Sequence, residues 1–535
     1  MAVSEKLKAI RQRGWLRWGS LVLFLCGAAV AAGVIWGWPT DTWDRASRVL
    51  ATWGLTMATV LGVLFWLVLL SGLRWYIGVG LIVALAIAAP STVRRVRFTG
   101  DMIPIVDWRW QPTADDLLDA DRQRQANASE LGPVQLFEDP STAFPEFRGI
   151  HRNGVVDGSQ LAHDWTAQPP HQLWREPVGG GYSSFAVDGN IAITLEQRRD
   201  QEVVACYDTA HGKERWTYSY PAHFSETLGG DGPRATPTIA GDDVFSLGAT
   251  GTLVCLDVRT GKQRWSTNIL QPGNANVRWG MSGSPLVVGQ EVLVAPGVQT
   301  ADAQGGTLTA YDRTNGKPLW SAGRAMAGYS SPMLATLAGT RQVVLFDGEG
   351  VAGYDLKAHS QLWRYGWLTQ EHINVAQPLV LGGDRVFISS GYGVGCAMLQ
   401  VTKHGAQWSV KPLWKSRALR CKFNNPVERD GFIYGLDDGI LVCLDERTGD
   451  RKWRGPRFGH GQMLQAGDRL IILSEEGQLA LVEATPQAYR EHGRLDVLEG
   501  KTWNCPALAA GNLYVRNDHE MACYELQARG MPSLR

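Results

Sequence analysis

This 535-residue chain has no surplus of charge of either sign: Lys and Arg together number 52, Asp and Glu 52, and charged residues make up only 19%. A balanced chain has no long-range field for polyanions, so nucleic acid is not an expected partner. The catalytic signatures that can be read from spacing alone are missing as well. There is no Gly-x-x-x-x-Gly-Lys-Ser/Thr phosphate loop, no His-Glu-x-x-His and no Gly-x-Ser-x-Gly elbow. Neither a Cys-Cys dipeptide nor a Cys-x-x-Cys-His segment occurs, which excludes a vicinal disulfide and a covalently attached haem of that type. The Gly-x-Gly-x-x-Gly match from Gly348 to Gly353 runs straight into Tyr354-Asp355 in a strand-like context, where a dinucleotide site needs a helix. It reads as a turn.

What the chain has in quantity is glycine (61) and tryptophan (22), a pairing of tight turns with indoles that points to a turn-rich β repeat. Two apolar blocks precede it, an uncharged one over residues 18–38 and another over 50–90 interrupted only by Arg74. A membrane span takes roughly 20 apolar residues, so the second block has room for two helices turning near Ser71, Gly72 and Arg74, giving about three spans in all. Lys6, Lys8, Arg11, Arg13 and Arg17 precede the first span and place the N-terminus in the cytoplasm by the positive-inside rule. Three crossings then carry the remainder to the outer side of the cell (inner) membrane, against the minor counter-signal of Arg94, Arg95 and Arg97; a single long span in the second block would leave it in the cytoplasm. The expected organisation is an anchor over 1–92, a linker over 93–143 with a polar run from 115 to 130, and a repeat domain over 144–535.

The repeat has a fixed internal ruler. Cys255-Leu256-Asp257-Val258-Arg259-Thr260-Gly261-Lys262-Gln263-Arg264-Trp265 recurs at residues 443–453, with looser copies near 207, 311 and 354. In all five the Asp-to-Trp offset is 8: Asp208 and Trp216, Asp257 and Trp265, Asp312 and Trp320, Asp355 and Trp363, Asp445 and Trp453. Successive aspartates lie 49, 55, 43 and 90 residues apart, and the last interval hides a copy running toward Trp408 or Trp414. Eroded copies at 480–483 and 522–525 bring the total to eight. Repeats of about 40–50 residues with four strands each are propeller blades, so the fold expected is all-β, an eight-bladed β-propeller. The Asp caps a turn, the Gly takes φ > 0 and the Trp covers the neighbouring blade, which makes these ten residues structural fasteners. Cys206, Cys255, Cys443 and Cys523 fall at one equivalent position and read as core filling, while any disulfide among Cys396, Cys421 and Cys505 stays open.

The Asp-x-x-Thr-Gly-Lys-x-x-Trp phrase resembles the tryptophan-docking motif of the pyrroloquinoline quinone (PQQ) repeat. That repeat is shared by quinoprotein dehydrogenases and by non-enzymatic propellers such as the BamB lipoprotein of outer-membrane assembly. The resemblance covers about residues 145–527 and implies one of two functions. One is a membrane-anchored binding or scaffold module of the cell envelope, on the periplasmic side, with an envelope protein as partner. The other is a dehydrogenase of alcohols or sugars, dependent on PQQ and Ca²⁺ and passing electrons to membrane quinone. For the latter, the resemblance would require oxygen ligands for a hard cation, a stacked indole and a catalytic aspartate.

Long loops enter the first strand of each blade, and long loops on a rigid scaffold usually carry function. The cofactor- or ligand-binding candidates on that face are Trp503, Asn424, Arg234, Glu196, Trp279 and Lys422, in the company of Ser183, Ser184, Ser282, Tyr329, Ser330, Asn374, Gln377, His460, Gln462 and Asn504. Such a set suits an anionic or carbonyl-rich ligand, and equally a channel mouth that is polar because it is wet. His460 between Gly459 and Gly461 carries no ligand role by itself.

Overall fold

The computed structural model describes residues 2–38, 43–69, 74–125, 131–157, 161–270, 275–299 and 305–528. The chain forms two compact units, Met1–Pro112 and Thr113–Arg535.

The first unit holds helices α1 (Ala2–Gly37), α2 (Arg45–Leu69) and α3 (Trp75–Thr92). Stretches Trp18–Gly37 and Arg45–Val68 are long and apolar enough to cross a bilayer, whereas the apolar part of α3, Tyr76–Thr92, is shorter. The expectation of about three spans is therefore corrected to two: at 1.5 Å per residue, the 18 residues of α3 reach about 27 Å, just under the roughly 30 Å hydrocarbon core. The turn expected near Ser71 and Gly72 lies outside the described residues. Trp18 and Trp66 pack with ring centroids 5.1 Å apart, and Arg48 closes the α1–α2 corner by donating to the carbonyls of Trp36 (3.3 Å) and Trp38 (2.6 Å). Beyond α3, Val93–Phe98 and Pro104–Trp108 pair as an antiparallel hairpin, within which Arg97 makes a two-pronged contact to Asp107 (2.8 and 2.9 Å).

The second unit opens with α4 (Ala114–Gln125), whose Asp119 pairs with Arg199 at 2.5 Å, and continues into eight antiparallel sheets. Blades 1 to 7 take residues 186–221, 238–268, 286–322, 333–366, 379–416, 427–457 and 462–496. Blade 8 draws three strands from 507–525 and its outermost strand, His171–Pro177, from the start of the unit. The first and last parts of the propeller chain are thus hydrogen-bonded to each other, which closes the circle.

Three of the five indoles of the repeated phrase hydrogen-bond across to the next blade. Trp216 Nε1 donates to the Val258 carbonyl of the next blade at 3.1 Å, Trp265 to Arg313 at 2.7 Å and Trp453 to Thr485 at 2.8 Å. Each indole needs room on its neighbour: at Gly261 (φ +68) a Cβ would meet Trp216 Cε3 at 2.4 Å, so no larger residue fits under that ring. Trp414 docks blade 5, donating to Glu446 at 2.9 Å, and Trp174 docks blade 8, donating to Thr209 at 2.9 Å. Trp320 and Trp363 differ, donating within their own blades to Glu291 (2.8 Å) and Gln342 (2.6 Å). The turn partner of Trp320 in blade 4 is His359 at φ +53 in place of glycine, and the two rings stack at 4.7 Å and 8°. Cys206, Cys255, Cys443 and Cys523 each face a docking Trp across the last strand pair and are fully buried. Cys396, Cys421 and Cys505 are buried and free.

A throat plugged by its own chain

The innermost strands of a propeller leave one edge unpaired along the central channel, and here residues 142–156 fill that space. Phe144 exchanges two backbone hydrogen bonds with Val187 of blade 1, Ile239 of blade 2 donates to Pro145, and Ala510 of blade 8 donates to Thr142. The segment turns over Gly149–Arg152 and returns as Val155–Val156, pairing in parallel with Gln465 and Ala466 of blade 7. Arg152 donates to the carbonyls of Ser284 (3.0 Å), Pro332 (2.9 Å) and Pro285, and its Nε meets Glu146 at 2.6 Å. Arg148, fully buried, donates to Pro426 at 2.8 Å, Asn153 at 2.8 Å and Met463 at 3.5 Å. Burial without a carboxylate partner pulls its guanidinium down to about 10.

Candidate functional site

Directly above the plug, one residue per blade closes a hydrogen-bonded belt. The backbone N–H of Ser184 donates to Thr236 Oγ1 (3.1 Å), Thr236 to Ser284 Oγ (2.9 Å), Ser284 to Ser331 Oγ (2.9 Å), Ser331 to Gln377 Oε1 (3.2 Å) and Gln377 to Asn425 Oδ1 (2.8 Å). Asn425 Nδ2 then donates to Gln462 Oε1 (3.1 Å), Cys505 Sγ donates to the same oxygen (3.3 Å), and Ser184 Oγ returns to the Cys505 carbonyl (2.5 Å). All eight members are buried, so the belt is a structural collar that satisfies the backbone where the blades converge. Ser184, Gln377 and Gln462 were candidates on sequence; Thr236, Ser284, Ser331, Asn425 and Cys505 were not, although a recurring polar-Pro step (Thr236-Pro237, Ser284-Pro285, Ser331-Pro332, Gln377-Pro378, Asn425-Pro426, Cys505-Pro506) marks them.

Above the collar, the entry loops carry an arc of rings and cations. Phe423 of blade 6 lies 5.2 Å from His460 of blade 7 and 4.6 Å from Trp503 of blade 8, and Trp503 lies 5.1 Å from Tyr182 of blade 1. The Arg234 guanidinium of blade 2 sits 5.6 Å from the Tyr182 ring and 4.7 Å from Phe224, while Trp279 of blade 3 meets Tyr329 of blade 4 edge-on at 5.8 Å. The Lys501 ammonium stands 3.9 Å from the Trp503 ring centroid and 5.2 Å from that of Tyr182.

The structure distributes the six principal candidates unevenly. Trp503 and Arg234 join the arc through Tyr182. Trp503 Nε1 donates to Glu475 at 2.8 Å, and Arg234 donates to the carbonyls of Gly232 and Gly230, its pKa lowered by burial. Trp279 flanks the arc under Arg278, which pairs with Glu371. Lys422 is buried and paired with Asp438 at 3.2 Å. Glu196 is fully buried in blade 1. It accepts from Tyr207 Oη (2.5 Å), Gly179 N (2.8 Å) and Arg198 (3.0 Å). Burial works to raise its pKa, but Arg198 and Arg516 outweigh it and hold the carboxyl below its ordinary range. Asn424 is 1% exposed, and among the described residues neither its Nδ2 nor its Oδ1 has a hydrogen-bond partner.

A Ca²⁺-held quinone would need free oxygen ligands and an open indole face. Glu196 is consumed by an arginine, a tyrosine and a backbone amide, and it stands in blade 1 whereas Asn424 is in blade 6. Trp503 carries Lys501 on its ring and is approached at an angle by Tyr182 and Phe423. Glu196 and Trp503, engaged in this way, do not supply those groups.

Comparison with known proteins agrees with the repeat and the fold. Residues 200–455 match the family model described as outer membrane protein assembly factor BamB. The protein of that name from Burkholderia pseudomallei is 27% identical over 277 residues, which is 50% of this chain and 66% of that protein. The quinohemoprotein alcohol dehydrogenase ADH IIB of Pseudomonas putida is 30% identical over 135 residues, 25% of this chain and 18% of the enzyme. The chain therefore spans less than two thirds of either relative. The structure of quinohemoprotein alcohol dehydrogenase from Comamonas testosteroni superposes with a TM-score of 0.51 at 14% identity, covering 74% of this chain and 82% of that one, a likeness of fold alone. The chain is a BamB-like propeller built of PQQ-type repeats, carrying apolar N-terminal helices.

Proposed function

We propose that the protein is a membrane-anchored docking propeller of the bacterial cell envelope that presents its entry-loop face to a partner protein. The observation that carries this reading is the commitment of the would-be redox residues: Glu196 is locked in an ion pair and the Trp503 ring is already covered, while the collar and the plug keep the scaffold rigid beneath a face of exchangeable loops. The matched BamB relative supports a scaffold role. The short match to the dehydrogenase supports the repeat and says little of the reaction.

The extracytoplasmic placement needs an odd number of crossings from a cytoplasmic N-terminus. Among the described residues only two helices are long and apolar enough to cross, so this placement stands or falls with a crossing by the shorter α3. The decisive test is a titration of the purified full-length protein with PQQ and Ca²⁺, followed by dye reduction with alcohols and sugars. No saturable cofactor absorbance is expected. Saturable binding with turnover would establish the quinoprotein dehydrogenase instead.

A further inference from the structure

The entry loops of blades 6 and 8 converge on blade 7, where Gln462 Nε2 donates to both Phe423 O (2.7 Å) and Trp503 O (3.2 Å). One residue further along each loop stands an asparagine, Asn424 and Asn504, each immediately before a collar residue. Between them, blade 7 has Gly461 at the matching position and so offers no side chain. Asn504 spends its Nδ2 on the carbonyls of Gly181 (3.2 Å) and Ser183 (2.8 Å), and among the described residues its Oδ1 and both amide atoms of Asn424 have no partner. Both residues are 1% exposed. Buried amide atoms without partners are costly, on the order of 1–3 kcal/mol each, and two at equivalent loop positions call for a ligand that satisfies them.

We propose that Asn424 and Asn504 form the reading head of the docking face, pairing with the backbone of an extended acidic polypeptide segment. This rests on the docking reading above. The unused valences decide the ligand class. A carboxylate or phosphate offers acceptors only and would leave both Oδ1 atoms bare. A peptide group offers an N–H and a C=O side by side, which matches the free Oδ1 and Nδ2 of Asn424. A saccharide also offers both, but it is usually held against an open ring, and Trp503 is covered by Lys501 and met by Tyr182 and Phe423. Acidity of the segment follows from the cations of the arc. Lys501 and Arg234 flank Tyr182, and the hydrogen bonds of Arg234 go to backbone carbonyls. Ile150, at the turn of the plug, is 43% exposed.

The test uses full-length protein in detergent and labelled hexaglutamate, read by fluorescence anisotropy, with hexalysine and hexagalacturonate as comparison probes. Hexaglutamate should bind saturably and hexalysine should not. Asn424→Leu should weaken binding about tenfold, the equivalent of one to two hydrogen bonds. Arg234→Met should reduce the salt dependence of binding. Because Asn424→Leu removes an unsatisfied buried amide, its melting temperature should hold or rise, which separates lost recognition from lost folding. Equal affinity of Asn424→Leu and the parent, or no binding of hexaglutamate, overturns the proposal, and preference for hexagalacturonate replaces it with a saccharide site. The cofactor titration tells the two readings apart: if it is flat and hexaglutamate fails, the docking reading stands and this inference falls.

Discussion

Replacing Arg152 by methionine tests whether the plug holds the propeller together. The side chain reaches three blades at once, donating to Ser284 and Pro285 of blade 3, Pro332 of blade 4 and Thr238 Oγ1 of blade 2 (3.4 Å), and it neutralises Glu146. Methionine keeps most of the volume and removes every donor. Hydrogen bonds from a charged donor contribute about 1.5–3 kcal/mol each, and an orphaned buried carbonyl costs about 1–3 kcal/mol, so simple addition over three carbonyls overshoots. Relaxation and water entry reduce it to roughly 3–5 kcal/mol, typical of breaking a buried polar network. Thermal unfolding of the full-length protein in detergent should show a melting temperature lower by several degrees, with earlier trypsin cleavage near the plug. Arg152→Met with Glu146→Gln should recover part of the loss, because the abandoned carboxylate is the most expensive remnant. His151→Ala, an exposed neighbour on the same turn, should change nothing. A melting temperature for Arg152→Met equal to that of His151→Ala would refute the reasoning, since the plug would then be an ornament in a self-sufficient ring.

Glu202 gives a pH signature. It is fully buried, accepts from Tyr220 Oη (2.7 Å) and Ala249 N (3.0 Å), and burial raises its pKa above the usual 4.5. Its contribution to stability is complete below that value and is lost as pH rises through the folded one, so Glu202→Gln should raise the melting temperature at pH 7.5 and leave it unchanged near pH 4. Trp174→Ala removes the indole that docks the closing strand, at a cost of about 3–5 kcal/mol, and should expose residues 161–177 to limited proteolysis before any other blade. Alkaline phosphatase fused after residue 125 should be active if α3 crosses the membrane; an inactive fusion would place the propeller in the cytoplasm.

The blades were legible because one phrase does the same physical work each time: Asp caps the turn, Gly clears the space and Trp fills it, so the offset of 8 cannot drift without losing the contact. Copies that do the work with other residues were harder to see. His359 replaces the glycine and stacks where the others tuck, and the Trp of blade 8 arrives from residue 174, some 350 positions away from the strand it completes. Closure of a ring is a long-range event and leaves no local period. The plug was hidden for a related reason. Residues 142–156 hydrogen-bond to seven of the blades, yet they contain no alternation of their own, since the channel supplies their partners one or two at a time.

The site was legible in position and not in role. Sequence spacing put polar residues at the foot of each entry loop, and the structure divides them by a single residue step. One step on, beside the recurrent proline, lie collar residues such as Thr236, Ser284 and Asn425, whose hydrogen bonds pass from blade to blade. One step earlier, Asn424 and the Oδ1 of Asn504 are left with nothing to bind. A belt built only for stability would gain by placing alanine there, as blades 2 and 5 do at Ala235 and Ala376. The asparagines keep amide atoms that the fold leaves unused, at a cost in stability, beside the loops best placed to meet a partner. That local conflict between folding and composition is the strongest reason to look for recognition on this face and not in the throat, where Arg148 and Arg152 have already spent the carbonyls that a ligand would need.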